Sequence, residues 1–88
     1  MNARTLPEKG DEWQSLLREV KYRLSYRGTL ELDTLCRRLL AKIDGFEETR
    51  LREIRDFLLH GENELMWWLV DGVPAPAEHA EMVKLFKQ

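Results

Sequence analysis

The chain has 88 residues, of which 43% are hydrophobic and 34% charged, and its formal net charge at pH 7 is −2. This composition is typical of one globular domain and excludes a disordered tail. The negative balance argues against a dedicated nucleic-acid binder, which usually carries a basic excess. The apolar run from Leu65 to Val70 is far shorter than the roughly 20 residues of a membrane-spanning helix, so we expect no membrane insertion.

The start of the chain and its cysteine content bear on its compartment. Residues 1–10 contain Pro7 and Gly10 and lack apolar periodicity or a secretion-signal core, so we expect a flexible leader before a helical domain at residues 11–88. The single cysteine, Cys36, excludes an intramolecular disulfide. A small domain of this kind folds on packing alone, and we therefore predict a cytoplasmic protein.

Two long apolar patterns of helical period occupy the first half of the chain. The first comprises Trp13, Leu16, Leu17, Val20 and Leu24. Asp11 is placed to cap this helix, and Gly28 is placed to end it, because glycine tolerates a left-handed backbone. The second comprises Leu32, Leu35, Cys36, Leu39, Leu40 and Ile43. Asp44 and Gly45 interrupt this second pattern.

Three further helices are predicted in the second half. They cover Glu47–His60, ended by Gly61, then Glu62–Val70, and a last helix that follows Pro76. No alternating pattern predicts a strand. We therefore expect an all-α fold, a small five-helix bundle in which short connections make consecutive helices antiparallel neighbours.

No catalytic or metal-binding motif is present in the sequence. His60 and His79 lie on different predicted helices, and a metal site normally needs three or four ligands. Cys36 lies on the apolar stripe of the second helix, where a lone thiol usually packs as a small hydrophobe. These patterns predict neither an enzyme nor a metal protein.

Two features suggest a binding surface. Trp67 and Trp68 point about 100° apart on a helix, so one can anchor the core while the other is partly exposed, as a shield or as a contact residue. The segment from Tyr26 to Asp33 joins two helices in very few residues. It is either an ordinary helix end followed by an acidic first turn, or a surface where Gly28 permits close approach. The residues alone favour neither of these two interpretations.

The segment Arg27-Gly28-x-x-Glu31-x-Asp33 resembles the R-G-x-x-E-x-D signature of the SdhE/Sdh5 family. These proteins are FAD assembly factors of succinate dehydrogenase (succinate dehydrogenase assembly factor 2). The run from Glu64 to Leu69 is similar to the family's acidic-Leu-x-x-Trp-Leu element, and the resemblance covers residues 22–87. Thr29 stands where the family usually has Met, and Asn63 stands where an acidic residue often opens the tryptophan element.

The resemblance implies a small five-helix helper that is not an enzyme. It implies binding to the flavoprotein subunit of succinate dehydrogenase or fumarate reductase, and promotion of covalent FAD attachment to a partner histidine. FAD then belongs to the partner, and the chain has no cofactor of its own. We expect a monomer whose partner-binding residues are Arg27, Gly28, Glu31, Asp33 and Trp67.

Other functions remain open on the residues. A toxin-neutralising or regulatory protein-binding module would use the same helical surface. A small DNA-binding domain is suggested by several arginines, but the balancing acids and the net charge argue against it. An enzyme with a cryptic site ranks last, because no catalytic constellation is recognisable.

Overall fold

The computed structural model describes residues 10–25 and 27–88. Within them the five helices are α1 (Gly10–Leu24), α2 (Leu30–Leu40), α3 (Glu48–Leu58), α4 (Glu62–Leu69) and α5 (Ala80–Lys87). Short 3-10 turns occupy Ile43–Gly45 and Ala77–His79, and these described residues form no strand. The predicted all-α, five-helix fold is confirmed. The described residues do not include residues 1–9 of the predicted leader or Tyr26. The side chain of Asp11, the predicted cap of the first helix, is also not described.

One hydrophobic core joins all five helices. Its members are Leu16, Val20 and Leu24 of α1; Leu32, Cys36 and Leu39 of α2; Ile43; Leu51, Ile54, Phe57 and Leu58 of α3; Leu65, Trp68 and Leu69 of α4; and Met82 and Phe86 of α5. They recur at three- and four-residue steps, which gives each helix one apolar face. No polar or charged residue is buried in the described part of the chain.

The packing order departs from the order of the helices in the chain. α3 packs most extensively on α1, while α2 packs on α1 and α5. Consecutive helices are neighbours for α1 with α2 and for α4 with α5, but α3 has less contact with α2 and α4 than with α1. The prediction that consecutive helices are neighbours therefore holds for two of the four consecutive pairs and is wrong for α3 with α2 and α4, because short loops fix only which helix ends are close. The apolar faces decide which helices pack.

The end of α1 is set by Ser25 rather than by Gly28. The Ser25 hydroxyl donates to the Lys21 carbonyl at 2.8 Å, and the Ser25 amide donates to the Tyr22 carbonyl at 3.1 Å. A serine hydroxyl at this position competes for carbonyls that a longer helix would use. The predicted helix end at Gly28 is wrong, and Gly28 does not adopt a left-handed backbone; among the described glycines, Gly72 does (φ 81°).

The other helix boundaries lie close to those predicted. α3 ends at Leu58, two residues before His60, and Gly61 is the residue that precedes α4 rather than a left-handed end of α3. α2 begins after Thr29, whose hydroxyl accepts a hydrogen bond from the Leu32 amide at 3.4 Å. This is an N-cap contact, which satisfies one of the free amides of the first turn. The start of α2 is thus fixed next to Gly28.

Candidate functional site

The start of α4 lies against the last three residues of the segment that joins α1 to α2. This turn, named here the 27–29 turn, consists of Arg27, Gly28 and Thr29. Glu62 is the first residue of α4, and its two carboxylate oxygens accept different donors of the turn. Arg27 Nη1 donates to Oε1 at 3.2 Å, and the Gly28 amide donates to Oε2 at 2.9 Å. The Glu62 side chain therefore binds both the Arg27 guanidinium and the backbone amide of Gly28.

A second contact joins the same two elements one helical turn further along α4. The hydroxyl of Thr29 lies 3.1 Å from the sulfur of Met66. Glu62 and Met66 are four residues apart, so they share one face of the helix. This face of α4 packs on the 27–29 turn, and Thr29 provides both the helix cap and the interhelix contact.

Arg27 is engaged mainly within the chain. Its side chain is only 14% exposed, and its charge is matched by Glu62. The guanidinium is also close enough to Cys36 to favour the thiolate, but burial has the larger effect and raises the pKa of the Cys36 thiol to about 11. The prediction that Cys36 is a core residue is confirmed, since its side chain is fully buried. A thiol in this state is not an activated nucleophile.

Asp33 braces the first turn of α2. Arg37 Nε donates to Asp33 Oδ2 at 2.7 Å, and this hydrogen bond is the main reason that the pKa of Asp33 is lowered. The Asp33 amide also donates to the Thr29 carbonyl at 2.9 Å. Glu31 lies on the same first turn and is exposed to solvent. The negative charges of both residues suit the positive end of the helix dipole.

Large apolar side chains border the 27–29 turn and its α4 contact. Leu30 follows Thr29 in the chain and is 78% exposed, while Trp67 follows Met66 and is 49% exposed. Trp68 is only 8% exposed and belongs to the core, so the prediction that the two tryptophans differ in burial is confirmed. Exposed Trp and Leu side chains are typical of surfaces that bind other proteins.

The structure thus brings together part of the predicted site. Arg27 and Gly28 form the turn, Asp33 supports the adjoining helix, and Trp67 borders the α4 contact. Glu31 is exposed one turn further along α2. That these five residues contact a partner stays a prediction.

Sequence reasoning missed two residues that build this site. The sequence places Glu62 at the start of a predicted helix and Met66 within it, but it predicts no contact with the 27–29 turn for either residue. Their turn partners lie 34 to 37 residues away in the chain. No local pattern marks such pairs. The one available signal for the Glu62 contact was an acidic residue at the start of a predicted helix. A favourable interaction with the helix dipole was enough to explain an acidic residue there.

The two histidines also meet, although they belong to distant segments. The ring centroids of His60 and His79 are 4.6 Å apart, and both rings lie against Trp68, at 5.0 and 5.3 Å. His60 Nδ1 lies 3.3 Å from Glu64 Oε1. In residues 10–25 and 27–88, no three His, Cys, Asp or Glu side chains are grouped so that they could hold a metal ion. The histidine pair is part of an aromatic cluster beside the core.

These features define a small all-α protein in which the 27–29 turn is hydrogen-bonded to the start of α4, with the exposed apolar residues Leu30 and Trp67 adjoining these contacts in the chain. The family model described as "Sdh5: Flavinator of succinate dehydrogenase" matches residues 18–88. The chain belongs to this family, which confirms the resemblance seen in the sequence. The match includes both the 27–29 turn and α4. Comparisons with curated proteins and with solved structures gave no significant match.

The family is described as a flavinator of succinate dehydrogenase, which is the role of an assembly factor. In the described segments, no helix combines the length and apolar character needed to cross a membrane.

Proposed function

We propose that the helical domain, residues 11–88, binds the flavoprotein subunit of succinate dehydrogenase or fumarate reductase and promotes covalent attachment of FAD to a histidine of that subunit. Membership of the flavinator family supports this role. The observation that carries the proposal is the contact between the R-G-x-x-E-x-D segment and the start of α4, the helix that contains the tryptophan element. Glu62, just before the tryptophan element, hydrogen-bonds to Arg27 and Gly28 of the R-G-x-x-E-x-D segment.

The proposed docking surface has an apolar part and a polar part. Leu30 and Trp67 provide the exposed apolar area, and tryptophan is enriched among residues that dominate binding energy. Gly28 and Glu31, which lie close to Leu30 in the chain, are also exposed. Asp33 contributes by supporting the start of α2 through Arg37. The buried part of Arg27 gives the turn its shape, and its exposed fraction is left for the partner.

The contribution of this chain is orientation rather than chemistry. The flavin provides the methyl group that becomes bonded, and the partner provides the histidine. FAD is carried by the partner, and this chain has no cofactor of its own. Docking holds the two reacting groups of the flavoprotein at bonding distance, a contribution that accelerates reactions without any catalytic side chain. In this role the chain is a cytoplasmic monomer that forms a one-to-one complex.

Covalent flavinylation is the direct test. A purified apo flavoprotein subunit is incubated with FAD, with and without this protein, then denatured, and the flavin fluorescence that stays with the polypeptide is measured. Both the succinate dehydrogenase and the fumarate reductase subunits are used, since the target is one or both. We expect the protein to increase covalent flavin. No increase with either subunit, from a folded protein, would contradict the proposed function.

A pair of glycine variants tests the surface. A Cβ at Gly28 would lie 3.2 Å from Glu62 Oε2, whereas a Cβ at Gly45 would meet nothing within 4 Å. Both glycines are exposed, and neither has a left-handed backbone. Gly28→Arg is expected to abolish the increase in covalent flavin, and Gly45→Arg is expected to retain it. Equal flavinylation by Gly28→Arg and the wild type would exclude this surface.

A further inference from the structure

The carboxylate of Glu62 is the one link that joins α4 to both Arg27 and the Gly28 backbone in the described hydrogen bonds. We propose that Glu62 is a positioning residue, which holds the 27–29 turn in the conformation that docks on the flavoprotein. This inference rests on the proposed function, and it assigns to Glu62 a role that the sequence signature does not include. Glu62 acts through the turn, and its own contact with the partner is not required.

The geometry shows why the turn depends on a remote side chain. The Gly28 amide lies between two helices, outside the hydrogen bonding of either, and a backbone amide needs an acceptor. Glu62 Oε2 supplies this acceptor at 2.9 Å. Oε1 binds the Arg27 guanidinium at 3.2 Å, and the Arg27 side chain is 14% exposed. Hydrogen bonds to a charged group are stronger than neutral ones, so one carboxylate can keep the short segment in a single conformation.

A general effect of negative charge at the start of α4 is separable from this contact. Glu62 and Glu64 both lie in the first turn of α4, where either charge interacts favourably with the helix dipole. Glu64 is directed to His60, at 3.3 Å, and not to the turn. Glu64→Gln therefore removes the same charge from the same helix end while leaving the turn contacts in place, and it is the matched control.

The same geometry gives Gly28 an intrachain purpose. A Cβ at this position would lie 3.2 Å from Glu62 Oε2, tighter than an ordinary contact, so the carboxylate would have to shift by a few tenths of an ångström. The effects of changing Gly28 and Glu62 should then overlap. We expect the melting temperature of the double variant Gly28→Ala/Glu62→Ala to be no lower than that of Glu62→Ala alone, because residues that share one interaction are not additive.

Two measurements test the proposal on the full chain. Calorimetric titration into the flavoprotein subunit gives the Kd of the wild type, Glu62→Ala, Glu62→Gln and Glu64→Gln. We expect Glu62→Ala to raise the Kd by about ten-fold, the loss typical of a charged hydrogen bond. Glu62→Gln, which keeps one acceptor oxygen, should lie in between, and Glu64→Gln should bind like the wild type. Circular dichroism melts check that each variant is folded.

The second measurement needs no partner. In ¹H–¹⁵N spectra of the isolated protein, the Gly28 amide proton should move upfield and exchange faster with solvent in Glu62→Ala. In Glu64→Gln it should stay at the wild-type position. A Gly28 amide unchanged by Glu62→Ala would overturn the positioning role, whatever the binding result.

The two arms separate the possible failures. If the wild type binds the flavoprotein and folded Glu62→Ala binds equally well, the positioning role is wrong and the proposed function stands. If the wild type binds neither flavoprotein, the proposed function fails and the docking role of Glu62 fails with it. The Gly28 amide then still decides whether Glu62 holds the turn.

Discussion

The adjacent tryptophans of α4 allow stability and function to be separated by two matched substitutions. Trp68 is 8% exposed and packs on Phe57, with ring centroids 5.9 Å apart. Trp68→Ala removes this buried ring and leaves a cavity, a change that costs about 3–5 kcal/mol. The whole stability of a small domain is about 5–15 kcal/mol. Trp68→Ala should therefore consume a large share of the free energy of unfolding.

Trp67→Ala should cost much less, because the Trp67 side chain is 49% exposed. A tryptophan buries up to roughly 250 Å², and half of that area at about 25 cal/mol per Å² gives an upper bound of about 3 kcal/mol. The area that alanine still buries and the compactness of the unfolded chain reduce the cost to about 1–2 kcal/mol. No closed cavity forms, since water fills the space.

For flavoprotein binding we expect Trp67, and not Trp68, to be the more important of the two side chains. If Trp67 is a dominant contact of the docking surface, its loss should weaken flavoprotein binding by about 2 kcal/mol, or roughly 30-fold in Kd. Urea unfolding followed by far-ultraviolet circular dichroism measures stability, and calorimetric titration measures binding. Trp68→Phe, which keeps the core filled, serves as a folded control that should bind like the wild type.

Two results would refute this reasoning. Equal destabilisation by Trp67→Ala and Trp68→Ala would contradict the burial of the two rings. Wild-type affinity for the flavoprotein in folded Trp67→Ala would remove Trp67 from the docking surface, while leaving the rest of that surface to the Gly28 variants.

Three further predictions concern titration and backbone conformation. Burial raises the pKa of Cys36 from 9.0 to about 11, so the unfolded chain releases the thiol proton at a lower pH than the folded chain does. The free energy of unfolding should therefore fall as pH rises from 9 towards 11, by about 1.4 kcal/mol per pH unit. Urea unfolding of Cys36→Ala across this range should lack that contribution, and identical pH slopes would contradict the burial. The hydrogen bond from Arg37 lowers the pKa of Asp33 in the folded chain. The Asp33 carboxylate therefore stabilises the fold at pH values above its ordinary pKa of 3.8, and this stabilisation is lost as pH falls through the lowered pKa of the folded chain. Asp33→Asn should show a smaller acid-dependent loss in melting experiments, and an unchanged loss would exclude the contact. Gly72→Ala should destabilise the fold by about 1–2 kcal/mol because a left-handed backbone disfavours a Cβ. Gly45→Ala, at a glycine without a left-handed backbone, should be neutral or slightly stabilising. Equal melting temperatures of the two variants would contradict this difference.

The helices could be predicted from the sequence because their signal is local. Apolar residues at three- and four-residue steps mark one face of each helix, and the observed core consists of these residues. Cys36 was placed in the core on this basis. The end of α1 could not be read in the same way, since the hydroxyl of Ser25, rather than the more conspicuous Gly28, terminates the helix.

The candidate site was only partly predictable. The R-G-x-x-E-x-D and tryptophan segments are visible as motifs, and the family match to residues 18–88 includes both. Their spatial relation is not visible in either motif. The unequal burial of Trp67 and Trp68 followed from helical geometry, but which elements surround them did not.

The sequence by itself determined the fold class, the five helices, their apolar faces and the family, because each depends on residues that are close in the chain or on a recognisable motif. Tertiary structure alone decided that α3 packs mainly on α1, that His60 meets His79, and that Glu62 holds Arg27 and Gly28. These contacts join residues that are far apart in the chain. They form only when the apolar faces have packed and brought the polar ends of different helices to hydrogen-bonding distance.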